Sequence, residues 1–429
     1  MTVPISPGTR RRIVGALFLT QGLFSAAVIA SFTLTAIVAA DLSGQDSAAG
    51  LPATVTLLGR AAVAYPIGWL LDRAGRRRGL SLGYAFGILG ALLSGYAVVV
   101  GSFALLLTGA LLLGLSRGAA EQGRYVAAEI FRSSRRAKVI GLIVFAGTIG
   151  AIGGPLLVVP ATDLALSLDL DLYAGPYFVS AVLLFLAGLI VLLMLRPDPL
   201  LIGRQMGALD DSEAAAAELP LQSQNIGRRP RSLREIFSSR AAILAVSAMV
   251  VGQMVMAMFM VITSLYMERS DHGADAISFV IMAHTLGMFG LSWLTGWLVD
   301  RLGRVIMIVV GAFILIATCI LAPLSVAVPM LALALFLLGL GWNFCFVSGS
   351  SLLADQLRTI ERGRAQGAGE MAVALGAGAG SLGSGLLFAQ GGMIALSVVG
   401  FTLIVLLLAI VLWSRRVGPL ARPATVASD

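Results

Sequence analysis

The stretch GWLLDRAGR, residues 68–76, returns 228 residues later as GWLVDRLGR, residues 296–304, with seven of nine positions identical. Each copy closes one long apolar run and opens the next. A second correspondence holds at a nearly equal offset of 226 residues: Glu129, Arg132, Arg136 and Gly141 are matched by Asp355, Arg358, Arg362 and Gly367. Gly150 and Gly154 then recur as Gly376 and Gly380. Equal order and nearly equal spacing mean a duplicated unit.

What surrounds the repeats is apolar. Hydrophobic residues fill 58% of the 429 positions and charged ones 12%, a balance outside the range of soluble domains. Twelve apolar stretches are expected to cross a bilayer, at about 12–40, 48–72, 79–100, 102–131, 136–161, 171–195, 240–267, 275–300, 304–324, 328–356, 363–388 and 391–414. Each is long enough for a hydrocarbon core of about 30 Å at about 1.5 Å per residue. The first is too long for a signal-peptide core and is read as retained. The expected fold is an all-α membrane protein of two six-helix bundles related by a pseudo-twofold axis along the membrane normal. The expected parts are a bundle at 1–195, a cytoplasmic linker at 196–239, a second bundle at 240–415 and a cytoplasmic tail at 416–429. The linker carries DDSEAAAAE and GRRPRSLRE, neither able to bury a core, and a short surface helix is expected near Ser232 to Ser239.

The formal charge of +8 would suggest a nucleic-acid partner in a soluble protein, but its distribution decides otherwise. With the first span running outward, 26 of the 30 basic residues fall in inside segments and Arg269 alone falls outside. That is the positive-inside pattern, and it places both termini in the cytoplasm of a cell whose inner membrane holds the chain. Cys319 and Cys345 lie within spans and read as small apolar residues. Two histidines and two dispersed cysteines make no metal site, and neither a phosphate loop nor a nucleophile triad is present. Enzymatic activity and a cofactor are not expected.

At this point the residues resemble the major facilitator superfamily over essentially the whole chain. Its GxLxDRxGRR-type signature stands here as Gly68, Leu70, Asp72, Arg73, Gly75, Arg76 and Arg77, with a second copy through Gly296, Asp300, Arg301, Gly303 and Arg304. The resemblance implies a gate: Asp72, at the negative end of its own helix dipole, would meet the amino end of span eleven in the outward-facing state. By symmetry Asp300 would meet span five. Span five carries Gly141, Gly150, Gly154 and Pro155, most of a family motif associated with antiporters, although Val158 and Val159 stand where paired glycines should follow. These residues would let helix five pack closely against helix eight and kink at Pro155. The family's span-four arginine would fall near Ala110; here an arginine comes two turns later, so its role does not carry over.

Ionisable groups inside a membrane are costly and mark function. Span four holds Arg117, Glu121 and Arg124, which share one face of an unbroken helix and would form a polar stripe on the central cavity. The arginines would attract an anionic or polar substrate and Glu121 would exchange a proton; the alternative is a self-contained ion triad. Arg60, equally deep in span two, either lines the cavity or binds Glu121. In the second half His284 and Glu370 are further proton-coupling candidates, against readings as a hydrogen-bonded packing residue and a helix-dipole carboxylate. Gln253 with Met254, Met256, Met258 and Met260, Trp342 with Asn343, and Gln21 with Ser25 complete the candidate substrate surface. A proton-coupled exporter of small organic molecules is the first expectation. An uptake symporter or facilitator for an organic anion is the second, and a non-transporting receptor or scaffold is the third. The expected partners are a small-molecule substrate, the bilayer and protons, with no nucleic acid and a monomeric chain.

Overall fold

The structure is a computed structural model that describes residues 6–131, 133–203, 205–206, 231–357 and 362–415. The acidic part of the expected linker, the expected tail, Arg132 and Arg358 lie outside the described residues. Within them every regular element is helical. The helices are α1 (Pro7–Ser43), α2 (Leu51–Ala74), α3 (Arg76–Val100), α4 (Phe103–Ala120), α5 (Gly123–Glu129), α6 (Ser133–Leu156), α7 (Val158–Ser167) and α8 (Gly175–Met194). After them come α9 (Leu233–Phe237), α10 (Arg240–Glu268), α11 (Ala274–Phe289), α12 (Ser292–Leu302), α13 (Arg304–Leu321), α14 (Val328–Asp355) and α15 (Arg362–Arg415). Backbone groups in hydrocarbon must be paired within the segment, which is why such apolar runs become helices. Large side chains such as Leu89, Leu92, Phe185 and Leu193 lie exposed on them, as surfaces solvated by lipid do.

Among the described residues nine helical spans, one of them α4 continued into α5, are long and apolar enough to cross a bilayer, or eleven if two bent pairs each count once. One pair is α2, bent by 44° before Pro66; the other is α11 with α12, bent by 41° at Gly290–Leu291. The twelve expected crossings are recovered only if α15 crosses twice. Its 50-residue apolar stretch would run about 75 Å if straight, more than twice a hydrocarbon core. It is not straight, because Gly391 (φ −151°) and Gly392 (φ +60°) leave helical geometry. Ala368 and Ala372 of the first arm and Leu403, Leu407 and Ile410 of the second line one apolar cavity of about 550 Å³. The arms therefore lie side by side and antiparallel.

The chain divides into two compact units, one of Met1–Leu42 with Val55–Arg228, the other of Ser43–Thr54 with Arg229–Asp429. The expected first bundle thus gives up the connection between α1 and α2. Ser43–Thr54 groups with the second unit, where Asp46 pairs with Arg269 at 3.0 Å and the Thr54 hydroxyl approaches the Gly378 carbonyl at 3.5 Å.

Glycine seams hold each unit together. A Cβ at Gly154 would meet the Ala26 carbonyl of α1 at 2.9 Å, and one at Gly150 would overlap the Gly22 backbone. In the second unit a Cβ at Gly380 would meet the Met254 carbonyl of α10 at 2.6 Å, and one at Gly376 would meet Val250 at 2.9 Å. Gly141 and Gly367 have nothing within 4 Å. Gly150 and Gly154 of α6 serve a seam with α1, and the same seam recurs in the other half. Pro155 lies inside α6, and the helix breaks after it at Leu157; the ring of Pro160, four residues beyond Leu156, would crowd the Leu156 carbonyl as α7 begins.

The linker also needs correcting at both ends. Ile202 and Met206 belong to the buried apolar cluster of the first unit, beside Ile13, Val126 and Ile130. Ile236 of α9 is 1% exposed, so the short helix is anchored rather than only resting on the surface. It starts where expected, on a capping box in which Ser232 and Glu235 satisfy each other's backbone N–H groups.

Candidate functional site

In the first unit the signature turn is built on Gly75, at φ +98° and ψ 156°, a conformation essentially reserved to glycine. The turn aims Arg76 back across the helix end. Its Nη1 donates to Asp72 at 2.7 Å, while Nε and Nη2 donate to Glu129 of α5 at 2.9 and 3.0 Å. Arg73 lies over the Trp69 ring at 4.4 Å. The second unit repeats each part. Gly303 stands at φ +94° and ψ 151°, Arg304 reaches Asp355 at 3.0 Å and Asp300 at 3.8 Å, and Arg301 lies over Trp297 at 5.1 Å. The two sequence correspondences, 228 and 226 residues apart, therefore meet in one duplicated carboxylate–arginine–carboxylate bridge. Gly68 and Gly296 leave open space around them.

Deeper in the first unit, α2 lies tightly on α4. A Cβ at Gly118 would meet the Arg60 carbonyl at 3.0 Å, and one at Gly114 would overlap Thr56. That close approach lets Arg60 Nη2 reach Glu121 Oε2 at 2.9 Å while Arg117 Nε reaches Glu121 Oε1 at 3.3 Å. One carboxylate is thus held between two guanidinium groups from different helices. The side chains of Arg60, Arg117 and Glu121 are 36%, 40% and 25% exposed. Charges inside a membrane are costly unless paired, and here each charge has an opposite partner.

Arg124 does not join the ion cluster. The α4 helix ends at Ala120, and Glu121–Gln122 form a tight turn with Gln122 N donating to the Ala119 carbonyl at 3.1 Å. Arg124 stacks on the Tyr125 ring at 4.8 Å and makes no ion pair among the described residues. Gln21 of α1 is half-buried, its amide nitrogen 3.2 Å from where a Cβ at Gly147 would stand.

In the second unit, Trp342 donates its indole N–H to Gln253 at 2.8 Å and stacks on Phe346 at 5.0 Å, with Phe289 edge-on. Asn343 instead splints the α11–α12 break: its amide donates to the Met288 carbonyl at 2.7 Å and to the Ser292 hydroxyl at 3.1 Å. His284 is 1% exposed and bonded through Nδ1 to the Leu335 carbonyl of α14 at 3.0 Å. Each therefore has one polar atom engaged in packing, while His284 Nε2 and Asn343 Oδ1 are buried without a hydrogen-bond partner among the described residues. Met258 and Met260 are buried, Met254 and Met256 half-buried, and Glu370 is exposed on α15.

Sequence reasoning passed over Asp198. Its carboxylate accepts the backbone N–H groups of Arg76 and Arg77 at 3.0 and 3.1 Å, although it lies in the stretch taken for free linker.

Comparison with known proteins bears on the whole arrangement. A family model described as Major Facilitator Superfamily matches residues 16–355 and 254–428. A Bacillus subtilis protein described as the uncharacterized MFS-type transporter YdeG is 34% identical over 407 residues, covering 94% of this chain and 92% of its own. The riboflavin transporter RfnT of Brucella anthropi is 28% identical over 360 residues, covering 84% and 85%. Among solved structures, a bacterial homolog of the human lysosomal transporter Spinster superposes with a TM-score of 0.74 at 14% identity, over 96% of this chain and 98% of that one. A peptide transporter POT bound to sulfate gives 0.67 at 14%, over 94% and 95%. At these identities the structural likeness speaks for the fold.

Proposed function

The chain belongs to the major facilitator superfamily and is a multi-pass membrane transporter, and from that premise we propose that it carries a small organic anion together with a proton by alternating access. The observation that carries this reading is the Arg60–Glu121–Arg117 cluster. Its charges sum to one net positive, so it favours an anion. A carboxylate or phosphate binding the two arginines displaces Glu121, and the displaced carboxylate takes up a proton. Substrate and proton then bind together, which is the logic of symport. This is the second of the sequence expectations, and the net positive charge of the cluster is what supports it over export. The relative that carries riboflavin supports a substrate of small-organic-molecule size.

The duplicated bridges of Arg76 and Arg304 act as the gates, and the two units act as the rocking bodies, in a cell inner membrane with both termini cytoplasmic and a single chain sufficient. Organic anions, neutral molecules and cations are screened by thermal shift on the purified protein at two pH values. Ligands that stabilise it are then added to vesicles containing a pH-sensitive dye. Co-movement of anion and proton in one direction is expected. Protons moving against the ligand would return the exporter reading, and stabilisation by cations alone would remove the anion site.

A further inference from the structure

The two gates are alike in residues and unlike in enclosure. The Arg76 side chain is 11% exposed and its bridge to Asp72 is 2.7 Å; the Arg304 side chain is 33% exposed and its bridge to Asp300 is 3.8 Å. Gly75 supplies no side-chain cap to α3, so the first N–H groups of that helix need an outside acceptor. Asp198 is that acceptor. It gives one carboxylate oxygen to Arg76 and the other to Arg77, and it lies so close that a Cβ at Gly75 would stand 2.5 Å from it. The residues after it form an arm: Leu200 N returns to Asp198 at 2.9 Å, Ile202 and Met206 enter the buried cluster, and Gly203 lies against the Glu129 side chain. The arm therefore touches both the turn that carries Arg76 and the carboxylate that Arg76 grips. The sequence provides no such part in the second half, where the last helix is followed by no acidic residue before Asp429.

We propose that Asp198 is a positioning residue of the first-half gate, clasping the α2–α3 turn so that the Arg76 guanidinium is held between Asp72 and Glu129, and that the two gates consequently open with unequal ease. The proposal rests on the reading of these turns as gates, and two measurements separate the clasp from that reading.

The full-length protein is studied as wild type, Asp198→Asn, which keeps one acceptor oxygen, and Asp198→Ala. Hydrogen exchange read by mass spectrometry should rise about tenfold at the amides of Arg76 and Arg77 in Asp198→Ala, the scale expected for a lost cap, and by less in Asp198→Asn. The amides of Arg304 and Val305 should stay as they are. Unchanged exchange at Arg76 and Arg77 in either variant overturns the clasp. If Asp198→Ala does not fold, Asp198→Asn decides alone, since losing one oxygen must raise exchange at one of the two amides. The second measurement places a cysteine at exposed Gly141 or Gly367, with Cys319 and Cys345 replaced by alanine. Labelling by a membrane-impermeant maleimide added to each side should change in the Asp198 variants as it does in Asp72→Asn. Faster exchange with unaltered labelling would keep the clasp and overturn its role in gating.

Discussion

Replacing Glu121 with glutamine should tighten the binding of an anionic ligand and abolish the proton uptake that accompanies it. Glu121 stands 2.9 Å from Arg60 and 3.3 Å from Arg117, with charge centres near the separation at which unit charges attract by about 4 kcal/mol at an effective dielectric of about 20, and about 1 kcal/mol in water. With a quarter to two-fifths of each side chain exposed, the pairs lie toward the watery end, near about 1.5 kcal/mol each. An anion has to displace Glu121 from at least one arginine. Removing the carboxylate's charge relieves that competition and gains roughly tenfold in affinity. In the wild type, binding that takes up a proton must tighten as pH falls; in Glu121→Gln that dependence should flatten. Competition binding with a ligand from the screen, run at several pH values beside a dye measurement of proton uptake, reads both effects. Unchanged affinity together with intact proton uptake would refute the reasoning, because Glu121 would then be neither competitor nor proton acceptor.

Other substitutions test other parts. Arg124→Ala should leave proton coupling intact and change stability by no more than about 1 kcal/mol, measured by thermal unfolding, since its contact is a cation–π stack on Tyr125. Gly150→Leu should lower the yield of folded protein sharply in fluorescence-detected size exclusion, whereas Gly141→Leu, with open space around it, should not. Asn343→Leu should cost about 1–3 kcal/mol by taking the amide donor from the Ser292 hydroxyl and leaving the Met288 carbonyl only the longer 3.3 Å bond from that hydroxyl, seen as a lower melting temperature.

The duplicated turn was legible because it combines a glycine that the backbone geometry requires with charges that the bilayer excludes, and both constraints act locally. Arg60 and Glu121 were harder. Their pairing depends on Gly114 and Gly118 letting α2 lie on α4, and a glycine in an apolar run does not announce which helix it will meet. Arg124 was expected in the ion cluster but stacks on Tyr125, because helical spacing names the residues that share a face and not the partner each one takes. Asp198 was hidden in a stretch whose polarity suggested solvent. The available signal was chemical: a lone acid between two prolines, directly after a spanning helix, near a turn whose glycine cannot cap the helix it starts. Asn343, singled out as an amide that lipid forces to find a partner, gives its nitrogen to a broken helix, a neighbour that the spacing of an apolar run does not reveal.

The bend at Gly391–Gly392 has a consequence for biogenesis. Two apolar arms joined with no polar loop between them give the insertion machinery no point at which to release one arm before the other emerges. The last fifty apolar residues should therefore enter the bilayer as a preformed hairpin. A chain truncated near residue 391 would leave the first arm without the second arm it is inserted with.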